Sequence, residues 1–302
     1  MYRIYRIVIL IICLSIISNT PLAWAKEGYF RKDTWQSIYN KEDIVDYPVI
    51  FIHGIGGKID FWQQSMKTIK DNYYKMKFKD RDTIIYDFDN QGRDYSVWGI
   101  SYYSNQVAEE ILLSDLDLYA WRVKKMIAEI KRLTRKDKVV IIAHSMGGVV
   151  ARRYMTLDQE SWNSVYKILT VGTPNQGVGT SIGIVGQLED LKEGSKLLNL
   201  LTNRWKELSK HSSYQKWGVI GAVDKTMSFN SRLSANATDS AGPGFVTISS
   251  AIPYEWQAAI EAGFNKATYN TSNFGFRLVV DTTHMGLLFH SGTFKGIDWA
   301  LH

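Results

Sequence analysis

Cysteine is nearly missing from this chain: its 302 residues hold one, Cys13. That residue lies in an N-terminal stretch that reads as a leader. The chain beyond it has no thiol, so disulfides, thiolate nucleophiles and thiolate metal sites are excluded together. Long hydrophobic runs are missing too. The run from Ile7 to Ile17 falls short of the roughly 20 residues that cross a bilayer, and no later segment is both long and apolar enough to do so. Neither sign of charge dominates, with 36 Lys and Arg against 30 Asp and Glu. The basic residues are spread along helical patterns such as Arg122 to Lys138, as on a solvated face, so no nucleic-acid partner is expected. The mild excess suits at most a peripheral contact with an anionic membrane surface. Internal repeats and low-complexity tracts are lacking as well. No loop carries the dense alternate-acid spacing of a calcium site, Asp281 and its neighbours included. No metal or cofactor is expected.

What is present begins with an address. Arg3 and Arg6 precede the apolar run, polar Ser18-Asn19-Thr20 follows it, and Ala23-Trp24-Ala25 sets small residues where a signal peptidase reads. This pattern predicts a signal peptide over residues 1–25 and a protein that is secreted or held in the periplasm or cell envelope; the alternative is an uncleaved anchor. Residues 26–302 are long enough for one domain with a large core.

Strand and helix patterns alternate through that domain. Tyr47 to His53, Thr83 to Asp87, Lys138 to Ala143, Lys167 to Gly172, Trp217 to Val223 and Phe276 to Val280 read as strands. Helical patterns are read over Phe61 to Met76, about Asn105 to Thr134, and Gly147 to Met155. The alternation predicts an α/β fold with a mainly parallel sheet covered by helices on both faces, in which sites form at the carboxyl ends of strands. Residues 175–215 interrupt the pattern with a glycine-rich and then amphipathic stretch, read as a lid over a site or as a peripheral helix pair. Residues 225–275 read as loop.

At the end of one predicted strand stands Ala143-His144-Ser145-Met146-Gly147-Gly148. Small residues around a lone serine, between a strand and a helix, match a nucleophile elbow: the turn is strained and the helix must pass close to the strand. Ser145 is the candidate nucleophile, and the N–H of Met146 at the helix start is a candidate donor to an oxyanion. His53-Gly54-Ile55-Gly56-Gly57 follows the first strand, where glycines turn the chain and bring the N–H of Ile55 toward the same point as a second donor. It lacks the Lys-Ser/Thr ending of a phosphate-binding loop. His53, Gly54 and His144 are read as walls of the substrate pocket. Thr173, in Gly172-Thr173-Pro174-Asn175-Gln176-Gly177 after the next strand, is read likewise. His284, just past the last strand, is the candidate general base. Phe61, Trp62, Trp98, Tyr102 and Tyr103 are candidates for an apolar acyl groove, each with core packing as the plainer reading.

Together HGIGG, AHSMGG, GTPNQG and the HMGLL that contains His284 resemble the secreted bacterial lipases and esterases of the α/β-hydrolase superfamily. HGIGG with AHSMG is similar to the small Bacillus lipases, and HSMGGVVAR with the GTP loop to the GPI inositol-deacylase-like group. The motifs run in order from His53 to Leu288 and leave out 175–215. The resemblance implies an α/β-hydrolase fold and a Ser-His-acid triad acting on a carboxylic ester of a lipid or small molecule. The sequence departs from the pattern at the acid, because Pro243 stands where many such lipases carry aspartate. Asp239 and Asp224 are the candidates for that role, with Asp281 behind them. Three functions remain in view: a serine ester hydrolase, an acyltransferase using the same residues, and a binding protein that retains only the fold.

Overall fold

The computed structural model describes residues 44–87, 96–104, 110, 114–179, 186–210, 215–239 and 246–302. The leader with Cys13, the start of the long helical pattern, His211 and Pro243 lie outside the described residues. Among those described, nine strands form one sheet: β1 (Val49–Ile52), β2 (Tyr74–Phe78), β3 (Ile84–Asp87), β4 (Val97–Ser101), β5 (Val139–His144), β6 (Val165–Val171), β7 (Trp217–Ala222), β8 (Thr268–Tyr269) and β9 (Phe276–Val280). Their order is β3-β2-β4-β1-β5-β6-β7-β9-β8. The pairs β2–β3 and β8–β9, at the two edges, are antiparallel, and all the others are parallel. The helices are α1 (Gln63–Ile69), α2 (Leu116–Thr134), α3 (Met146–Met155), α4 (Gln159–Asn163), α5 (Lys196–Ser209), α6 (Trp256–Ala262) and α7 (Ser291–Leu301), with single turns at Gln187–Asp190, Phe229–Arg232 and Ile248–Ala251.

The central strands read as unbroken apolar runs because both of their faces are buried. Ile50 and Ile52 of β1, with Ile141 and Ala143 of β5, pack on one side with Tyr119, Val123 and Ile127 of α2 and Val150 of α3. Val49, Phe51, Val140 and Ile142 face the other side, toward Met66 of α1 and Phe294 and Ile297 of α7. Burial of each such large side chain is worth about 2 kcal/mol. Helix α2 starts where the Asp115 carboxylate accepts from the N–H of Leu118 at 2.8 Å, and stops at Arg135, whose φ is 55°. Its apolar face, Leu116, Tyr119, Val123, Met126, Ile127 and Ile130, is buried throughout.

The helix expected over Phe61 to Met76 is shorter than its pattern suggested. A 3₁₀ turn (Ile59–Trp62) and α1 end before Lys70, which is extended, and Tyr74-Lys75-Met76-Lys77-Phe78 is strand β2. Apolar residues and lysines alternate there with period two, which suits a strand with one buried face. Strand β4 was not anticipated, nor were the short helices within 225–275. Since β1, β4, β5, β6, β7 and β9 run parallel, their carboxyl ends share one edge of the sheet. Chain progression reverses between β1 and β5, where a doubly wound sheet opens a crevice.

Candidate active site

Ser145 sits in that crevice, between β5 and α3, with φ 55° and ψ −133°. A non-glycine residue adopts this conformation only under strain, which the surrounding contacts hold in place. Its N–H donates to the carbonyl of Val171 at 2.9 Å, pinning the turn to the end of β6. Gly54 lies directly against it: a β-carbon there would stand 2.7 Å from Ser145 Cβ and 3.3 Å from its Oγ. The hydroxyl makes no hydrogen bond to any described residue.

The two predicted oxyanion donors flank the serine. Gly57 donates to the carbonyl of Gly54 at 3.1 Å and Gly56 to the Tyr103 hydroxyl at 3.3 Å. Among the described residues the N–H of Ile55 has no acceptor, and neither has that of Met146, the first residue of α3. Tyr102 Oη donates toward the carbonyls of His53 and Gly54, both at 3.1 Å, and Tyr103 Oη donates to Gln187 Oε1 at 3.2 Å. These two tyrosines therefore shape the HGIGG turn. Tyr102, Trp62 and Trp98 are fully buried, and the Trp62 ring N–H donates to the carbonyl of Ile52. The acyl-groove reading of these aromatics gives way to core packing.

His53 is buried and bonded on both sides. Its Nδ1 donates to the carbonyl of Gly54 at 2.8 Å, so Nε2 accepts from the Ser101 hydroxyl at 2.9 Å. Burial lowers its pKa to about 4, only partly opposed by the Gly54 bond, and the ring is neutral at pH 7. His144 is held well below the usual histidine range by burial and by the neighbouring His284. Its Nε2 donates to the His284 carbonyl at 3.1 Å, and the two rings lie 4.6 Å apart. Thr173 is 1% exposed and packs on α3: a β-carbon on Gly148 would meet its Oγ1 at 2.0 Å. Ser101 and Gln187 belong to this neighbourhood although no local sequence signal marked them.

His284 arrives from the loop after β9. Its Nδ1 meets Asp239 Oδ2 at 2.5 Å, and its backbone N–H donates to the Asp239 carbonyl at 2.8 Å. The other carboxylate oxygen of Asp239 accepts from the N–H of Val246 at 3.2 Å, and the residue is 1% exposed. A β-carbon on Gly172 would lie 3.3 Å from His284 Nδ1, so the ring rests on the residue that follows Val171, the partner of Ser145. Asp224 does not join them. Its Oδ1 accepts from the N–H and the hydroxyl of Thr226, both at 2.8 Å. Asp281 pairs with Arg232 at 3.1 Å. Among the described residues no cluster of three metal-ligating side chains occurs, and no helix is long and apolar enough to cross a membrane.

A serine on a strained turn with Gly54 packed against it, N–H groups at Ile55 and Met146 without an acceptor among the described residues, and an imidazole oriented by a buried carboxylate are the kinds of group that acyl transfer uses. The comparisons agree with the fold. A family model described as the PGAP1-like alpha/beta domain matches residues 43–259. A stretch of 57 residues is 44% identical to GPI inositol-deacylase A of Yarrowia lipolytica; it covers 18% of this chain and only 5% of that protein. Among solved structures, a gene product of Listeria innocua superimposes with a TM-score of 0.57 at 14% identity, covering 85% of this chain and 94% of that one. A mature Bacillus licheniformis lipase gives 0.47 at 14% identity, over 85% and 91%. At 14% identity the Listeria innocua likeness speaks to the fold alone.

Proposed function

The chain belongs to the PGAP1-like alpha/beta domain family, with the α/β-hydrolase fold of lipases and esterases, and we propose that it is a serine hydrolase of carboxylic esters, chiefly those of lipids. The observation that carries this reading is the pairing of His284 with buried Asp239 beside the Ser145 elbow. In the proposed cycle Ser145 Oγ attacks the acyl carbonyl carbon while His284 Nε2 takes its proton. The carbonyl oxygen, now negative, meets the N–H groups of Ile55 and Met146. The tetrahedral species collapses, His284 returns the proton to the leaving alcohol, and an acyl-enzyme on Ser145 remains. Water, deprotonated by the same imidazole, attacks that acyl group and frees the acid and the serine. Asp239 keeps Nδ1 protonated and steadies the imidazolium without accepting the proton itself. No step calls on a metal or cofactor. On the pattern of residues 1–25 we also propose that the protein is exported.

The test is turnover of p-nitrophenyl esters of short and long acyl chains by the full chain, beside Ser145→Ala and His284→Ala, with labelling by a serine-reactive phosphonate. Turnover and labelling should both vanish in Ser145→Ala, and His284→Ala should keep only about a thousandth of the rate or less. A folded wild type that neither turns over ester nor takes the label would instead favour a binding protein.

A further inference from the structure

A cavity of about 360 Å³ opens between α3, α5 and the start of β7, within the size range of small-ligand sites. Ser145, His284 and Asp239 do not line it. Its walls include Arg152, Lys206 and Lys216 with Trp162, Trp205 and Trp217, and no carboxylate is among its described lining residues.

Arg152 is 2% exposed. Its guanidinium lies 4.4 Å from the ring centre of Trp217 and 5.2 Å from that of Trp205. Only Nη1 is bonded, to the carbonyl of Asn175 at 3.2 Å and its side-chain oxygen at 3.0 Å. Among the described residues Nε has no partner, Nη2 donates to nothing, and no carboxylate faces the group. Lys216 is 7% exposed, and its ammonium lies 4.8 Å from the Trp162 ring centre. It donates to the carbonyls of Trp162 and Val165 at 2.9 and 2.7 Å, leaving one proton over and again no carboxylate partner among the described residues. Lys206 stands exposed at the rim.

Two buried cations without counter-charge oppose folding. Their aromatic contacts offset that only in part. Burial accordingly depresses Arg152 to about 10, and burial together with Lys138 depresses Lys216 to about 8. An anion in the cavity would relieve both cations at once. Arg152, Lys206 and Lys216 line the cavity from three different segments, and a phosphate group, with more oxygens and more charge than a carboxylate, can accept from more of them at once. Of the three indoles in its walls Trp205 is the least buried, and its ring offers a surface for an apolar or planar remainder.

We propose that this cavity is a second ligand site, which binds a phosphate group carried on an apolar or planar body. The proposal does not rest on the ester-hydrolase reading.

The test uses the full chain carrying Ser145→Ala, titrated calorimetrically with phenyl phosphate, inorganic phosphate and benzoate, and sedimented with vesicles of phosphatidylcholine alone or mixed with phosphatidylglycerol. Phenyl phosphate should bind better than inorganic phosphate and benzoate. Lys216→Met should weaken binding by about tenfold or more and the rim variant Lys206→Ala by about threefold. If only the mixed vesicles are bound, with the same dependence on Lys206 and Lys216, the phosphate belongs to a lipid headgroup; binding of phenyl phosphate in solution identifies a soluble ligand. The proposal is overturned if neither is bound, if benzoate matches phenyl phosphate, or if both variants bind as tightly as their parent. Should Lys216→Met fail to fold, the exposed Lys206→Ala decides alone.

Discussion

Asp239→Asn is the perturbation that bears most directly on the proposed chemistry. Asparagine keeps the size of the side chain, and the backbone bond from His284 to the residue 239 carbonyl is untouched. What changes is the atom facing His284 Nδ1, now 2.5 Å from a carboxylate oxygen. If the amide oxygen stays on the N–H of Val246, its NH₂ faces Nδ1 and can only donate. The imidazole must then carry its proton on Nε2, where it cannot accept the proton of Ser145. Turning the amide over restores the histidine tautomer but sets NH₂ against the Val246 N–H, leaving a buried donor unpaired at a cost of about 1–3 kcal/mol. In neither orientation does a negative charge remain to steady the imidazolium. We therefore expect kcat to fall about 10³–10⁴-fold, near 4–5 kcal/mol of barrier, with KM little changed. Asp224→Asn is the control. Its bonds to Thr226 need only an acceptor, which asparagine supplies, so kcat should stay within about twofold. The assay is ester turnover with circular dichroism to check folding. The reasoning is refuted if Asp239→Asn keeps more than a tenth of wild-type kcat, or if Asp224→Asn falls as far.

Gly54→Ala should lower kcat about a hundredfold, because a methyl group 2.7 Å from Ser145 Cβ must displace either the serine or the turn that carries Ile55; unchanged kinetics would mean that the contact is easily relaxed. Ser145→Gly should abolish turnover yet raise stability by about 1 kcal/mol in urea titration, since glycine adopts φ 55° without the strain, and a midpoint at or below that of wild type would argue that the turn is unstrained. The third concerns acid. Burial lowers His53 to about 4, so between roughly pH 6.5 and 4 the unfolded chain binds a proton that the folded chain refuses, and stability falls as pH drops through that window by up to about 3 kcal/mol. His53→Gln should flatten that part of the profile, and a slope equal to wild type would assign the acid sensitivity to other groups.

The parts of the site that were legible in sequence are those fixed within a few residues. Ser145 was legible because an apolar run and a cluster of small residues meet at one point, and His284 because it follows the last central strand directly. Asp239 was left level with Asp224 because its position depends on a distant pairing. Thr238 bridges Thr247, and its carbonyl accepts from the N–H of Asp224, which brings the residues before Asp239 back beside the end of β7. No periodicity encodes that return. A local signal did bear on Asp224: a threonine two residues on is a standard partner for an Asp side chain, and here it occupies the carboxylate. Trp62 and Trp98 illustrate another limit. Both were read as groove candidates with core packing as the plainer reading, and which applies depends on the strands packed against them, Phe51 of β1 for Trp62 and Tyr74 of β2 for Trp98, which the sequence did not disclose.

The described parts of the site divide by rigidity. Asp239 and His284 are joined twice, through side chains and through the backbone, and both are largely buried. The HGIGG turn is tied internally and through Tyr102 and Tyr103. Ser145 has a main chain pinned to Val171 but a hydroxyl bonded to no described residue. Rotation about its Cα–Cβ bond, among staggered rotamers, is thus the freedom left among otherwise fixed groups. On the proposed reading, that rotation is the motion that aims the hydroxyl at the imidazole. Discrimination among esters then has to come from whatever covers the crevice. Tyr103 connects the two, since its hydroxyl accepts from Gly56 of the HGIGG turn and donates to Gln187 of the 175–215 segment. On the proposed reading, a displacement of Gln187 would be passed through Tyr103 to the HGIGG turn and so to oxyanion geometry, which lowers kcat more than it changes KM.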